Sequence, residues 1–340
     1  MAKVVCFGEL MLRLQPYHYE RFVQAENVQF TFGGAEANVA VSLANFGVDV
    51  SYVTKLPAHI IGQAAVNSLR RYGVDTGKIV RGGDRVGIYF NEKGASQRPS
   101  ICTYDRAHSA ISEAKQEDFD WESIFSGAEW FHFTGITPAL SENVLEICRE
   151  ACQVAKKKGV KISCDVNYRS KLWTKEAARE AMTELSEYID LILINEEDAK
   201  TVFGIQADKT DVHSGKLNKE GYEEVAKKLM EQFRFSEVAI TLRESKSASD
   251  NDWSGLLYDG KECLFSKVYP VHIVDRIGGG DSFAAGLIYS FLKGDDSRKA
   301  LEFAAAASAL KHSIEGDYNM VTVPEVEKLA EGDGSGRVQR

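Results

Sequence analysis

Trp130–Asn195 reads WFHFTGITPALSENVLEICREACQVAKKKGVKISCDVNYRSKLWTKEAAREAMTELSEYIDLILIN. Three short apolar runs within it, Trp130–Thr134, Lys161–Asp165 and Leu191–Asn195, have the length and residue types of buried strands. Between them lie Ser141–Lys158, closed by Gly159, and Lys175–Tyr188, both with helical spacing. The same alternation extends outward. Upstream are strands Lys3–Phe7 and Val50–Thr54 with helices Asn38–Phe46 and Ile61–Tyr72. Downstream are helix Gly221–Phe233, strand Glu237–Thr241, and helices Asp281–Leu292 and Ser297–His312. Strands that alternate with long helices predict an α/β fold with a mostly parallel sheet covered on both faces.

Two stretches, about 11–32 and about 85–106, break the alternation. They carry Pro, Gly and charged residues with period-2 patterning, as in VGIYFNEKG and SICTYDR. Both predict antiparallel strands outside the main sheet. They are expected to form a small β-sheet lid threaded twice through one large domain of residues 1–325. Residues 326–340 are expected to be a C-terminal end with a polar, Gly-rich, disordered tail.

Composition narrows the function classes. With 44% hydrophobic residues, 27% charged, 28 Gly and 6 Pro, the 340-residue chain is neither collagen-like nor low-complexity nor mostly disordered. Forty-one Lys and Arg against 50 Asp and Glu give a net charge of −9, which argues against nucleic-acid and anionic-membrane partners. Any anion handled here must be met by local positive charge. Glu9 and Arg13 interrupt the apolar start, and no run is long enough for a signal peptide or a span, so a cytoplasmic location is expected. Six scattered cysteines without a CxxC pair point to reduced thiols, and no HExxH supports a metal hydrolase.

The sharpest chemical feature is DRIGGGDSFAAG, Asp275–Gly286, directly ahead of a helix. Gly278, Gly279 and Gly280 present backbone N–H groups at a helix N-terminus, an arrangement suited to a phosphate. Asp281 has two readings, a helix N-cap or a carboxylate that accepts a proton from a hydroxyl attacking phosphorus. The chain has no GxxxxGK[ST] and no strand-turn GxGxxG, which removes the main support for P-loop and dinucleotide sites. FGGAEAN, Phe32–Asn38, is either a tight turn with a cap or a place where a ligand approaches the backbone and Asn38.

In this order and separation, FGGAEANVAVSLANFG and DRIGGGDSFAAG resemble the two signatures of the ribokinase-like (PfkB) carbohydrate kinases, the second of which is usually close to DTxGAGD. The resemblance covers about residues 3–325. It implies a doubly wound domain that binds ATP and a sugar under a β-sheet lid, and a homodimer or higher homo-oligomer through that lid. It makes Asp281 the base, and Gly278, Gly279 and Gly280 with the Asp281 amide the anion hole. The family's NxxE motif, which organises Mg²⁺ through water, corresponds to Asn195 followed by Glu196, Glu197 and Asp198. Asp198 and Glu197 both remain candidates there, beside a solvated acidic helix start. VAITLRES replaces the family's TxGxxG, keeping Thr241 and introducing Arg243. The implied nucleotide side comprises Asn167, Arg169, Asn195, Thr241, Arg243, Ser245 and the three glycines. Asp275 either helps to hold a monovalent cation, as in some relatives, or is an ordinary turn residue.

Period 2 places Cys102, Tyr104 and Arg106 on one strand face, with Tyr89 from the preceding lid strand beside them. Arg169, in DVNYR, follows a core strand at the end where doubly wound sheets bind ligands. Each arginine is either a surface ion-pair partner or a bidentate partner for a substrate carboxylate. Together YDRAHSA, DVNYR, TLRES and HSIEGDYN are most similar to 2-keto-3-deoxygluconate kinases. That likeness implies sugar-acid contacts from Gly34, Asn38, Tyr89, Tyr104, Arg106, Arg169, Asp281 and Asp317, and transfer from Mg·ATP to the 6-hydroxyl. Two alternatives stand beside it: a related kinase of a neutral sugar or nucleoside, and a non-catalytic sugar or nucleotide sensor.

Overall fold

The computed structural model describes residues 3–207 and 219–334. The Gly-rich tail from residue 335 lies outside the described residues. The first half contains β1 (Val4–Phe7), β2 (Met11–Pro16), β3 (Val28–Gly33), α1 (Ala35–Asn45), β4 (Val50–Val53), β5 (Lys55–Leu56), α2 (Ile60–Arg70), β6 (Val80–Arg81), β7 (Ile88–Glu92) and β8 (Ile101–Asp105). Then follow α3 (Trp121–Ile124), β9 (Trp130–Thr134), α4 (Glu142–Lys157), β10 (Lys161–Asp165), α5 (Lys175–Leu185), β11 (Leu191–Ile194), α6 (Glu196–Asp198) and α7 (Lys219–Phe233). The chain closes with β12 (Glu237–Ser245), β13 (Asp250–Tyr258), β14 (Cys263–Phe265), β15 (Tyr269–His272), α8 (Gly279–Lys293), α9 (Ser297–Lys311) and α10 (Val323–Glu331).

Among the described residues the main sheet has nine strands in the order β14-β13-β12-β11-β10-β9-β1-β4, with β15 paired to β13. From β12 to β4 every neighbouring pair is parallel. β1 is buried throughout, and its alternation splits it between two cores. Val4 and Cys6 join the layer that includes residues of α1, α8 and α9, while Val5 and Phe7 join the layer that includes residues of α4, α5 and α7. A strand with both faces covered has no polar face, which is why such segments read as continuous apolar runs. α4 shows the helical counterpart: Val144, Ile147, Cys148, Ala151, Cys152 and Ala155 form its buried stripe, and Ser141 caps it by accepting from the Val144 N–H. α8 packs closely on α9: a Cβ on Gly286 would come within 2.6 Å of Ala304 Cα. All six cysteines are free, and no described helix is long and apolar enough to cross a membrane.

Several boundaries differ from the periodicity. β12 runs on to Ser245, and β13, β14 and β15 add an antiparallel edge that the alternation does not announce. β13 opens with the polar DND and contains Gly255, whose missing side chain makes room for the Phe283 ring, so neither period 2 nor an apolar run marks it. α8 begins at Gly279, which makes Asp281 a first-turn residue and Gly278 the N-cap. Asp281 is therefore not the helix cap. α10 runs across residue 325, started by Thr322 and Glu325, which cap each other reciprocally.

The second sheet, ordered β3-β2-β7-β8, comes from the two segments that break the alternation. Each segment folds as an antiparallel pair, β2 with β3 and β7 with β8, but β2 and β7 join the two pairs in parallel, contrary to the all-antiparallel expectation, because local period-2 patterning does not encode how distant segments pair. Its anchor to the body is Arg13 on β2, whose side chain is 1% exposed. The guanidinium pairs with Asp275, at 2.5 Å, and with Asp317, and it also donates to Gln15. Burial opposes its charge, but Asp317, Tyr89 and Asp275 outweigh that and hold its pKa above the ordinary value. Removing one partner of a buried ion pair leaves charge that water cannot reach. Arg13→Met is expected to cost about 3–5 kcal/mol of stability in a urea titration; a loss within error of zero would show that the triad does not hold the lid.

Candidate active site

The cavity lies at the C-terminal ends of the parallel strands, beneath the lid. Strand order reverses direction around β1, with β4 on one side and β9 on the other, and ligands of doubly wound sheets bind at such a switch point. A cavity of 360 Å³ brings together the start of α1, the lid, the ends of β10 and β11, and the start of α8. Of the expected site residues, Gly34, Asn38, Tyr89, Tyr104, Arg106, Asn167, Arg169, Asn195, Thr241, Gly278, Gly279, Gly280, Asp281 and Asp317 all line it. It opens into a broader cleft of 1180 Å³ that shares Tyr104, Arg106, Arg169 and Asn195.

The glycine run divides its labour. Gly278 has φ +85°, in the left-handed region, and a Cβ there would lie 2.1 Å from the Asp317 carbonyl oxygen. A Cβ on Gly279 would meet the His312 ring at 2.7 Å, whereas one on Gly280 meets nothing within 4 Å. Two glycines thus allow tight packing, and the third leaves open space at the first turn of α8, where backbone N–H groups lack helical partners. The Asp281 carboxylate accepts a 2.7 Å hydrogen bond from Asn38 Nδ2 across the cavity. Burial pushes its pKa up to about 8; the Asn38 bond opposes that rise, and the Asp165 and Asp317 carboxylates add to it.

A second acidic group faces this one. Burial, and then its neighbour Asp198, raises Asp165 to about 7; burial likewise raises Asp198 to about 6. Asn195 and Asp198 close on each other: Asn195 Oδ1 accepts from the Asp198 N–H at 2.8 Å, and Asn195 Nδ2 donates to Asp198 Oδ2 at 2.9 Å. The Tyr168 N–H also donates to Asp198, at 3.2 Å. Glu197 is exposed and faces the broader cleft. Asp165 and Asn195 line the cavity and Asp198 the adjoining cleft, and their oxygens are hard donors of the kind Mg²⁺ takes.

The cationic side is less simple than strand periodicity implies. Arg106 is buried, and its Nε and Nη2 donate to Glu9 Oε2, the Nε bond at 2.8 Å. Only the edge that includes Nη1 is left to meet a ligand. Arg169 is exposed on the loop after β10 and donates to the Tyr168 carbonyl at 3.0 Å. Asn167 precedes it at φ +40°, a conformation Asn tolerates better than most residues. Asp317 lines the cavity, but its carboxylate accepts from the Tyr89 hydroxyl, at 2.6 and 2.7 Å, and from Arg13. Tyr89 in turn stacks on Tyr104 at 6.0 Å between ring centroids. Arg243 and Ser245 lie further along β12, outside this cavity. Arg243 is exposed, and Ser245 lines a separate recess of 260 Å³ with Gln97, Ser247 and Arg276.

In and around the cavity are residues that the motifs do not mark. Arg276 lines it beside Gly278 and reaches the recess near Ser245. It stands where the related signature has Thr, a visible departure. Glu9 fixes Arg106, and a charged residue in the apolar start of the chain was its signal. Glu36, buried inside FGGAEAN, accepts from the Thr134 N–H at 2.9 Å and from the Thr134 and Thr137 hydroxyls, tying α1 to the end of β9.

The chain is similar to known proteins over nearly its whole length. The model of the pfkB family of carbohydrate kinases matches residues 1–323. The chain is 33% identical over 337 residues, 98% of either chain, to a 2-dehydro-3-deoxygalactonokinase of Haloferax volcanii. It is 28% identical to a 5-dehydro-2-deoxygluconokinase of Clostridium perfringens, over 96% of this chain and 91% of that one. Among solved structures, a 2-dehydro-3-deoxygluconokinase from Thermotoga maritima superposes with a TM-score of 0.94 at 53% identity, covering 98% of this chain and 100% of that one.

The raised carboxylates have a consequence for stability. An aspartate with an ordinary value of 3.8 and a folded value of about 8 keeps its proton in the folded chain after the unfolded chain has lost it. Stability contributed by Asp281 is therefore present at low pH and lost as pH rises through that window. Without ligands, the melting temperature is expected to fall from mildly acidic to mildly alkaline pH, and to fall less in Asp281→Asn. An equal fall in both proteins would remove Asp281 as a cause.

Proposed function

Since the chain belongs to the pfkB family of carbohydrate kinases, we propose that this phosphotransferase is an ATP-dependent sugar-acid kinase acting on the 6-hydroxyl of 2-keto-3-deoxygluconate. One observation carries the reading: Asp281, with a pKa near 8, shares a single cavity with the Gly278–Gly280 turn and with the Tyr89, Tyr104 and Arg106 cluster of the lid. A base with a pKa close to working pH combines a useful ionised fraction with driving force for proton transfer. Relatives named for 2-dehydro-3-deoxygluconate, its galacto counterpart and 5-dehydro-2-deoxygluconate support an acid as the substrate class.

In this reaction the substrate oxygen bonds to the γ-phosphorus as the bond to the ADP oxygen breaks, and the hydroxyl proton passes to Asp281. Asn38 holds that carboxylate in place. The first-turn amides of α8 meet the charge on the transferring phosphoryl oxygens. Asp165, Asn195 and Asp198 would hold Mg²⁺, partly through water, and the ion would neutralise phosphate charge. Thr241 and Arg276 border the phosphate path, with Arg243 and Ser245 further along β12 on the nucleotide side. The substrate carboxylate meets Arg169 and the remaining edge of Arg106. The lid excludes water and limits wasteful hydrolysis of ATP.

One observation favours a neutral sugar instead: Glu9 already pairs with Arg106, which a substrate without charge would leave undisturbed. ADP release on a panel of sugar acids and neutral sugars separates the two. 2-Keto-3-deoxygluconate is expected to turn over best, and Arg106→Ala to raise its KM with kcat changed less. Fructose or ribose outperforming it would overturn the substrate, and no ADP with any member would favour the sensor. Asp281→Asn is expected to lower kcat by about 10²–10⁴; a normal kcat would remove it as the base.

The same proposal includes a homodimer through the lid. Val28 and Phe30 on one edge strand and Ile101 on the other expose 38%, 50% and 46% of their surface, apolar side chains on one face of the lid. Sedimentation is expected to show a dimer that Phe30→Lys dissociates; a monomeric wild type would overturn it.

A further inference from the structure

Behind the Gly278–Asp281 turn sits an ammonium group with no role in the chemistry described above. Lys311, the last residue of α9, is fully buried. Its Nζ donates to two backbone carbonyls, Ile314 O at 3.1 Å and Asp275 O at 3.4 Å. Those oxygens belong to separate segments, the one leading into α8 and the one that follows α9. The segments are pressed together: a Cβ on Gly278 would lie 2.1 Å from the Asp317 carbonyl oxygen and 3.2 Å from Lys311 Cε. Carbonyl oxygens that converge away from water repel one another and need a donor or a cation.

The Asp275 carboxylate is already committed. It accepts from Arg13 at 2.5 Å, from the Gly316 N–H at 3.1 Å and from the Ile277 N–H at 3.2 Å. The segment thus offers no carboxylate to a monovalent ion, and its carbonyls converge on Lys311. Backbone carbonyls are the ligands that substitute for the hydration shell of K⁺, and an ammonium is satisfied by the same oxygens. We infer that Lys311 is a built-in monovalent cation: its tethered ammonium clamps the segments carrying Asp275 and Ile314 and so aims the amides of the anion hole, making the protein independent of K⁺. Lys311 is a positioning residue that acts through the backbone of Gly278–Gly280.

The inference rests on the anion-hole reading for its kinetic arm and on geometry alone for its melting arm. Using the full chain, ADP is measured directly by chromatography, so that no coupling enzyme adds its own ion requirement. The wild type is expected to turn over equally in potassium, sodium and tetramethylammonium chloride. Lys311→Met is expected to lose about 10² in kcat in tetramethylammonium chloride and to regain part of it with potassium or ammonium chloride. Without ATP or sugar, KCl is expected to raise the melting temperature of the variant over that in tetramethylammonium chloride, and not that of the wild type. A wild type that needs K⁺, or a folded variant equally inactive in every salt, overturns the inference. If the variant does not fold, the wild type decides through its rate and its melting in the same salts. Failure to turn over any sugar acid would strike the proposed reaction and leave the melting result standing.

Discussion

A guanidinium buried between two carboxylates organises this molecule. Arg13 stands on the lid; Asp275 and Asp317 stand on the body, on either side of the turn that opens α8. Because all three are nearly removed from water, no partner can leave without stranding a charge. The lid is thereby registered against the anion-binding turn. Tyr89 joins through the Asp317 carboxylate and presents its ring to Tyr104, so this wall of the cavity is set by the contact that fastens the lid. Lys311 lies against the same segments and neutralises carbonyls where Arg13 neutralises carboxylates.

Electrostatics inside the cavity oppose the charge of the molecule. A chain of net charge −9 provides no long-range attraction for nucleotides or sugar acids. It concentrates Arg106, Arg169 and Arg276 around one opening, together with the N-terminal end of a helix. The carboxylates there respond to one another. Asp165, Asp198 and Asp281 all lie above the usual carboxylate range because burial disfavours their charged forms, and neighbouring acids add to the effect. Glu9 and Arg106 are the counterpart on the lid side, a buried carboxylate in contact with a buried guanidinium.

The legible and illegible parts divide by the range of the interactions behind them. β9, α4, β10, α5 and β11 were readable because each is set by local periodicity and ends at a local signal, such as Ser141 before α4 and Gly159 after it. The lid strands were readable through their period of two. β13 was not: its polar opening and Gly255 make sense only once Trp253 and Phe283 are in place around it. Residues in and around the cavity follow the same division. Asp281 and the glycines announce themselves through a motif, whereas Glu9, Arg276 and Lys311 are single charged residues whose meaning depends on partners up to about a hundred positions away.

By itself the sequence determined the α/β alternation, the twice-inserted lid, and a glycine turn with an acid at the start of a helix, since each is encoded within a few turns of chain. Only tertiary structure decided that Asp281 is held by Asn38 instead of capping its helix, that Arg106 faces Glu9, and that Asp275 is paired with Arg13 while its carbonyl takes Lys311. The physical reason is common to all of these. A charged side chain is neutral evidence until its dielectric surroundings and its counter-charge are known, and both are properties of the folded chain, set by residues far apart in sequence.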